Sequence, residues 1–202
     1  HNLGEVIDAT LHMIENPDAA AGDLLQFVKA PDFPTGAYIL GNMGVQDALL
    51  TGRGSVKMRA VAEIVELRKG RNGIIVTEIP YLVQKSKLVE RIAQLMDAKR
   101  LPLLDDVLDE STEDIRLVLE PKSKLVDPDM LMESLFKLTD LETRISLNLN
   151  VLDPNGVPRV MGLREVLQIW LEHRRDVAVR RATTRLAKVE DRLEVLAGYL
   201  IV

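Results

Sequence analysis

Hydrophobic residues recur at helical spacing in five short stretches of the chain. After Asn2, a helix N-cap signal completed by Glu5, residues 3–16 form an apolar stripe that is typical of an amphipathic helix: Leu3, Val6, Ile7, Thr10, Leu11 and Ile14. Comparable patterns predict helices over 19–30, 42–52, 84–99 and 128–138. The 42–52 helix is expected to end at Gly52, and Asp127 with Pro128 marks the start of the 128–138 helix.

Other stretches alternate between apolar and polar residues, which predicts strands. The longest covers residues 55–67, where one face is formed by Val56, Met58, Ala60, Ala62, Ile64 and Glu66. The other face carries Lys57, Arg59, Val61, Glu63 and Val65, so a single strand with one wet face is expected. The turn signal at 68–73 predicts a hairpin to a strand over 74–80. Shorter strands are predicted at 38–40, 115–121 and 145–153, and a turn is predicted at 154–156.

The last part of the chain is one continuous helical pattern from Leu163 onwards. Apolar residues that step by three and four, as in a coiled coil or an antiparallel helix pair, are Leu186, Val189, Leu193, Leu196 and Leu200. A helix this long on a small domain is expected to project from it. Residues 101–112 are predicted to form an acidic loop. The chain is therefore predicted to be α+β, a mostly antiparallel sheet with flanking helices followed by a long projecting helix.

The composition fits a folded protein with an aliphatic core, because 47% of the 202 residues are hydrophobic and only 3% are aromatic. The absence of cysteine excludes disulfides and thiolate chemistry and predicts a reducing, cytoplasmic location. No segment resembles a membrane span or a signal peptide. The chain starts at His1 without a methionine and ends in an uncapped apolar run, so we expect a piece of a longer protein.

Charge is distributed unevenly around the net value of −5. Residues 53–100 carry a net charge of +6 and residues 101–142 a net charge of −8. Arginines are crowded at 174–185. An acidic total can therefore conceal a basic face that suits a nucleic-acid partner, although charge runs are more often ordinary solvated surfaces.

No catalytic or metal-binding signature is present in the sequence. The histidines lie far apart without partners at ligand spacing, and nucleotide-binding glycine motifs and nucleophile elbows are absent. The acidic pairs at 105–106 and 109–110 lack the ligand spacing of a calcium loop, so a solvated acidic loop is the better interpretation. A small hydrolase is disfavoured because no nucleophile–base pair is recognisable. We predict no catalytic residue and no metal ligand in this chain.

The segment 51–59, TGRGSVKMR, has the pattern of a recognition element. A turn of small residues brings backbone N–H groups to the surface. Arg53, Lys57 and Arg59 follow, with Lys57 and Arg59 on the same face of the predicted strand, and Ser55 adds a hydroxyl donor. Basic residues two apart on a strand are separated by about 6.5–7 Å, which is close to the distance between successive phosphates of one DNA strand. Because aromatic stacking platforms are lacking, contact with the backbone of duplex DNA is expected. The alternative is a solvated strand face.

Several stretches resemble the A subunit of bacterial type IIA DNA topoisomerases. They occur in the same order over essentially the whole chain: PDFPTGA at 31–37, TGRGSVKMRAVAEI at 51–64, VTEIPYLVQKSKLVERIAQL at 76–95, DDVLDES at 105–111, LNLNVL at 147–152, LREVLQIWLEHRRD at 163–176 and RLAKVEDRLEVLAGYLIV at 185–202. Within the family, GRGSVKMRAV and RRDVAVRR resemble the topoisomerase IV type more than the gyrase type.

The resemblance implies a division of the chain and a set of DNA contacts. Residues 1–29 would be helices that link to a DNA-gate domain, 30–160 a tower domain, and 163–202 the outgoing helix of a coiled-coil arm. The tower would hold bent, cleaved duplex DNA, chiefly through Arg53, Gly54, Ser55, Lys57 and Arg59. Lys85 and Lys87 are second-rank candidates for the same contact.

The resemblance also implies which functions lie elsewhere. The nucleophile of this family is a tyrosine directly preceded by arginine, and none of Tyr38, Tyr81 and Tyr199 has that neighbour. ATP and Mg²⁺ would be handled by the partner B subunit, while a second A subunit would complete the enzyme. The fragment alone is expected to be inactive. A gyrase-type tower, and a free-standing DNA-architectural or helical adaptor module, are the alternatives.

Overall fold

A computed structural model describes residues 1–67 and 72–201 of the chain. In this part, the α-helices are α1 (Leu3–Glu15), α2 (Met43–Thr51), α3 (Lys85–Asp97), α4 (Pro128–Leu138) and α5 (Leu163–Ile201). The strands are β1 (Tyr38–Leu40), β2 (Arg53–Arg59), β3 (Val61–Glu66), β4 (Asn72–Glu78), β5 (Leu104–Asp109), β6 (Leu117–Pro121), β7 (Glu142–Asn148), β8 (Asn150–Leu152) and β9 (Pro158–Val160). The predicted α+β class with a long final helix is confirmed.

The strands form antiparallel sheets that differ in the parts of the chain they combine. The first sheet has the order β1-β2-β7, the second has the order β3-β4-β6-β5, and β8 pairs only with β9. Strand β2 therefore lies in the middle of the first sheet. One neighbour is β1, the preceding strand, and the other is β7, which is more than 80 residues away in sequence. The turn predicted at 68–73 lies largely outside the described residues, although β3 and β4 pair as that hairpin requires.

The prediction of one strand over 55–67 is wrong. The chain leaves the first sheet at Ala60, whose N–H donates to the carbonyl of Leu141 at 2.8 Å, and continues as β3 in the second sheet. The predicted core face holds for Val56, Met58 and Ala60, which are at most 3% exposed, but Ile64 is 50% exposed. Alternation reports a common face only within one sheet, and the change of sheet breaks that relation.

The strand predicted over 145–153 is divided in the same way, into β7 and β8, which belong to different sheets. At the break, the N–H of Leu149 donates to the carbonyl of Gly52 at 2.8 Å. Its own carbonyl accepts from the N–H of Met161. Both backbone groups of Leu149 are thus hydrogen-bonded outside the β2–β7 ladder. The chain can therefore leave the first sheet here without burying unpaired backbone groups.

Two further predictions of local structure are wrong. The helix predicted over 19–30 is reduced to a 3₁₀ turn at Asp23–Gln26, where the Asp23 carboxylate accepts from the N–H of Ala20 and favours a turn over a longer helix. The acidic loop predicted over 101–112 contains β5, which pairs with β6. Only Leu104 of this edge strand is buried, and most of its other residues are exposed and acidic. The sequence of β5 therefore has the polar character that is typical of a loop.

The helix boundaries carry the predicted caps. The Oδ1 of Asn2 accepts from the N–H of Glu5, and the Oδ1 of Asp127 accepts from that of Asp129. Gly52 ends α2 in the left-handed conformation, with φ of 82°. The pattern predicted for α3 is also present, since Leu88, Ile92 and Leu95 are its buried residues.

The interior consists of two hydrophobic clusters. One lies between the second sheet, α3 and α4, and includes Ile74, Leu119 and Leu135. The other joins α1, the 3₁₀ turn, α2, the inner face of the first sheet and the start of α5. Arg164 of α5 strengthens this second cluster by donating to the backbone carbonyls of Pro17 and Ala19. The first 30 residues therefore share a core with the first sheet, and the division at residue 29 stays a prediction.

Helix α5 starts inside the fold and then leaves it. Leu163 and Leu167 are its buried residues, whereas the residues from 178 to 201 are exposed. The apolar stripe predicted along this part is therefore uncovered in the chain, and Leu200 is 89% exposed. Among the described residues, no helix is apolar enough over a sufficient length to cross a membrane.

Candidate nucleic-acid interface

The predicted recognition segment lies on one polar face of the first sheet. Residues directly opposite each other in an antiparallel pair point to the same side, and β2 pairs in register with β7 from Arg53–Asn148 to Arg59–Glu142. We define the polar face by these residues of the two strands: Arg53, Ser55, Lys57, Arg59, Glu142, Arg144, Ser146 and Asn148. The alternate residues, such as Val56 and Met58, are buried against α1 and α2.

The start of β2 is held by a close approach of helix α2. A Cβ on Gly44 would overlap the backbone carbonyl of Ser55, and a Cβ on Gly54 would lie 2.8 Å from that of Ala48. Only glycine permits this contact between helix and strand backbones. The structure therefore gives Gly54 a packing role, and its predicted contact with DNA stays a prediction.

The turn before β2 adds a further restraint on the first basic residue. The hydroxyl of Thr51 lies 3.1 Å from the carbonyl oxygen of Arg53 and 3.3 Å from its amide nitrogen. Arg53 itself is exposed, and no ion pair of its side chain occurs among the described residues. A fixed backbone thus presents an exposed guanidinium at the edge of the polar face.

Lys57 and Arg59 lie on the same face, as predicted, but both are engaged by one carboxylate. The Nζ of Lys57 lies 2.5 Å from Oε1 of Glu142, and Nη2 and Nε of Arg59 lie 2.6 and 2.8 Å from Oε2. The guanidinium of Arg59 is also 4.1 Å from the ring centroid of Phe136 and 3.6 Å from Glu133. The sequence predicted that these two cations are available to bind DNA, whereas the structure shows both paired with Glu142.

The charge of Glu142 is stabilised by this arrangement. Burial acts to raise the pKa of its carboxyl, but hydrogen bonds and charges from Lys57 and Arg59 outweigh burial, so the pKa lies below its usual value. Glu142 is therefore ionised at neutral pH. Together with Glu133, it balances the two positive charges at this end of the polar face.

The rest of the polar face carries two cations without ion pairs. Arg144 is exposed, lies opposite Lys57 across the ladder, and has no ion pair among the described residues, as is true of Arg53. Ser55, Ser146 and Asn148 are exposed beside these arginines and supply neutral hydrogen-bond donors. Arg144, Ser146, Asn148 and Glu142 were not predicted from the sequence. Their alternation within ETRISLNLN at 142–150 was visible, but the pairing of this segment with β2 was not.

The second-rank candidates at the start of α3 differ from each other. Lys85 is paired with Asp109 of β5, at 2.8 Å from Oδ2 and 3.0 Å from Oδ1. Lys87 is exposed and has no ion pair in the part of the chain that the structure describes. Their contact with DNA stays a prediction, and of the two only Lys87 offers an uncompensated charge.

Replacing Asp109 by asparagine is expected to lower stability at neutral pH and to flatten the pH dependence in acid. The hydrogen bond from Lys85, followed by those from Ser111, lowers the Asp109 pKa to about 2. A lowered pKa contributes stability that is present above the unfolded-state pKa of about 3.9 and is lost as pH falls towards 2.

Urea denaturation at a series of pH values, compared with Asp114→Asn as a control, measures this effect. An unchanged acid slope in Asp109→Asn would contradict the assignment.

A second basic region lies on α5. Arg174, Arg175, Arg180, Arg181 and Arg185 are exposed on the projecting helix. Asp176 pairs with Arg180 at 3.0 Å, and the Arg174 guanidinium lies 6.0 Å from the ring centroid of Trp170. This region is separate from the polar face in sequence and in secondary structure.

Several acidic residues and Tyr81, which lie outside the polar face, make local contacts. No group of three or more His, Asp or Glu within 1–67 and 72–201 could hold a metal ion. The acidic residues that the sequence placed in a loop are engaged locally, Asp106 with the N–H of Val107 and Glu110 with Arg116. Tyr81 stacks on Phe33, with ring centroids 5.2 Å apart, in the second hydrophobic cluster.

Comparison with known proteins shows matches over the whole chain. The family model for the A subunit of DNA gyrase/topoisomerase IV matches residues 1–202. The A subunit of DNA topoisomerase 4 from Caulobacter vibrioides is 54% identical over 202 residues, and that from Rickettsia bellii is 52% identical over 202 residues. The A subunit of DNA gyrase from Granulibacter bethesdensis is 44% identical over 202 residues.

The matched relatives are much longer than this chain. All of the chain aligns, but it spans 27% of the Caulobacter and Rickettsia proteins and 21% of the Granulibacter protein. The identities to the two topoisomerase 4 proteins are higher than the identity to the gyrase protein. The resemblance noted from the sequence motifs therefore agrees with the comparisons in family and in the order of the two types.

Proposed function

Because the chain belongs to the A-subunit family of DNA gyrase and topoisomerase IV, we propose that it forms the DNA-holding tower segment of a type II topoisomerase. The full enzyme would cleave both strands of one duplex, pass a second duplex through the break and reseal it. The higher identity to topoisomerase 4 proteins supports the topoisomerase IV type, with decatenation and relaxation as its activities. A gyrase-type tower is the second candidate, supported by 44% identity over 202 residues.

The polar face of the first sheet is the observation that carries the proposal. It is rigid, because a buried core supports its other side, and it carries Arg53 and Arg144 as exposed cations beside hydroxyl and amide groups. Such groups bind phosphate oxygens and need no base-specific geometry. A protein that holds a bent duplex makes contacts of this kind on the flanking arms, where backbone attraction offsets the energy of bending.

Helix α5 supports the second part of the proposal, a coiled-coil arm. Its exposed stripe of Leu186, Val189, Leu193, Leu196 and Leu200 follows coiled-coil spacing beyond the point where the helix leaves the fold. An apolar stripe of this length suits a returning helix of the same polypeptide.

The remaining machinery is assigned to other parts of the enzyme. As the family resemblance implies, we place Mg²⁺ and ATP on a partner B subunit. Mg²⁺ would there stabilise the charge that develops during phosphoryl transfer. A second A subunit would supply the opposite half of the DNA gate. Strand passage acts on the chromosome, so we propose a cytoplasmic, nucleoid-associated location.

The proposal is tested by DNA binding of the chain at several salt concentrations. The expected result is weak binding of a linear duplex, with an association constant that falls steeply as salt increases, because phosphate contacts release counterions. Incubation with supercoiled plasmid, Mg²⁺ and ATP is expected to yield neither relaxation nor a covalent protein–DNA adduct. Fluorescence anisotropy and denaturing gels measure the two results.

Two outcomes would contradict the proposal. Binding that is absent at low salt, or independent of salt, would remove the DNA-holding role. A covalent adduct formed by the chain alone would show that one of its tyrosines is a nucleophile. Single-stranded DNA of the same length serves as a comparison, and weaker binding to it is expected because stacking platforms are lacking.

A further inference from the structure

We propose that Glu142 is an internal counter-anion that occupies the phosphate-binding groups of Lys57 and Arg59, and thereby positions the DNA backbone at Arg53 and Arg144. The inference rests on the proposed DNA contact of the polar face. It concerns which of the four cations on that face make the contact and which residue decides this. Glu142 is thus assigned as a positioning residue that acts through its neighbours.

The contact geometry of Glu142 is that of a bound oxyanion. Each carboxylate oxygen is taken by a different cation, with Lys57 at 2.5 Å from Oε1 and Arg59 at 2.6 Å from Oε2. Nε and Nη2 of Arg59 both donate to Oε2, so two of its hydrogen-bond donors are occupied by the carboxylate. A DNA phosphate that used these donors would have to displace the carboxylate.

The carboxylate is held by the sheet and is not easily displaced. Glu142 lies directly opposite Arg59 in the β2–β7 ladder, so its position depends on regular strand pairing. Its side chain is only 16% exposed. Arg59 is further restrained by the Phe136 ring on helix α4 and by Glu133. Breaking this cluster would leave partly buried charges without partners, which is costly.

The consequence is a polarised face. At one end, Lys57 and Arg59 are balanced by Glu142 and Glu133, and this end is close to neutral. Arg53 lies at the other end, opposite Asn148, and Arg144 lies between the two ends, opposite Lys57. Both are exposed without a carboxylate partner among the described residues. A phosphate is attracted to uncompensated charge, so the backbone of the duplex is drawn to Arg53 and Arg144.

The experiment compares the salt dependence of duplex binding for the chain and its variants. Glu142→Gln keeps the shape of the side chain, removes its charge and releases two cations, so the plot of log association constant against log salt is expected to steepen by about 1 to 2. In the wild-type background, Lys57→Ala is expected to leave the slope unchanged. In the Glu142→Gln background, the same Lys57→Ala change is expected to lower the slope again.

Controls separate this role from general charge and stability effects. Glu63→Gln makes the same charge change on an exposed residue of the second sheet and is expected to keep the wild-type slope. Glu142→Asp retains the charge and is expected to restore a slope close to wild type. A thermal melt of each variant reports folding. If Glu142→Gln fails to fold, the single variants Lys57→Ala and Arg59→Ala test the inference instead. A salt slope equal to that of the wild-type chain in these variants supports the inference, and a slope lower by about one overturns it.

The possible failures are distinguishable. A Glu142→Gln variant that folds, binds with the wild-type slope and merely melts at lower temperature would overturn the positioning role. If Arg53→Ala and Arg144→Ala still lower the slope in that case, the proposed function stands and only the inference about Glu142 fails. If neither arginine variant changes the slope, the proposed DNA contact itself fails.

Discussion

Replacing both Arg53 and Arg144 by alanine is expected to weaken duplex binding by tens-fold at about 0.1 M salt, because each lost phosphate contact lowers the salt slope by about 0.9. Both guanidinium groups are exposed on the polar face without ion pairs among the described residues, so their removal leaves no carboxylate unpaired. The fold should therefore be unaffected. The double variant therefore measures how much these two unpaired cations contribute to duplex binding.

The measurement is fluorescence anisotropy with a labelled linear duplex over a range of salt concentrations. A slope lower by about two is expected in the double variant, and a slope lower by about one in each single variant. Arg100→Ala, an exposed arginine after α3, is the matched control and should bind as wild type does. Equal loss in the control would show that net charge, and not the polar face, determines binding.

Replacing Gly44 by alanine is expected to destabilise the chain by about 2 to 3 kcal/mol, the cost of forcing a methyl group into a close-packed contact. The new Cβ would overlap the carbonyl oxygen of Ser55, which is backbone and cannot rotate away. Helix α2 would have to move from β2, which carries Ser55 and the preceding Arg53. We therefore expect weaker DNA binding in addition to the loss of stability.

The free energy of unfolding from urea denaturation measures this effect. Gly22→Ala is the matched control, because φ is −65° at this position and a Cβ there would meet nothing within 4 Å. The control should have wild-type stability. A Gly44→Ala variant as stable as the control would contradict the close approach of α2 and β2.

The sequence predicted much of the local structure, and the reasons are local. The helices at 3–15, 43–51, 85–97, 128–138 and 163–201 have strong periodicity, and Asn2, Gly52 and Asp127 mark boundaries through short-range hydrogen bonds or backbone conformation. These signals depend on residues within a few positions of each other. The wrongly predicted long strands break where contacts distant in sequence decide the outcome, such as Ala60 at the change between sheets. The 3₁₀ turn at Asp23–Gln26 is an exception, because a hydrogen bond between near neighbours favours it.

The candidate site shows the same division. The sequence placed Lys57 and Arg59 on one face of a strand that begins after Arg53, and the structure adds Arg53 and Ser55 to the same face of β2. It did not identify Arg144, which is the second exposed cation of the face without an ion pair, nor Glu142, which pairs with two of the four predicted side chains. Whether a basic residue of β2 is available to bind a phosphate depends on the residue opposite it on β7. That strand is more than 80 residues away in sequence.

The sequence by itself determined the family, the secondary-structure class and the residue types of the recognition strand. Motif order, apolar periodicity and alternation are properties of the chain that do not require its folded form. The tertiary structure alone decided which strands pair, where the two sheets divide, and which cations remain uncompensated. Electrostatic availability depends on distances between side chains, and strand pairing sets those distances only when the chain has folded.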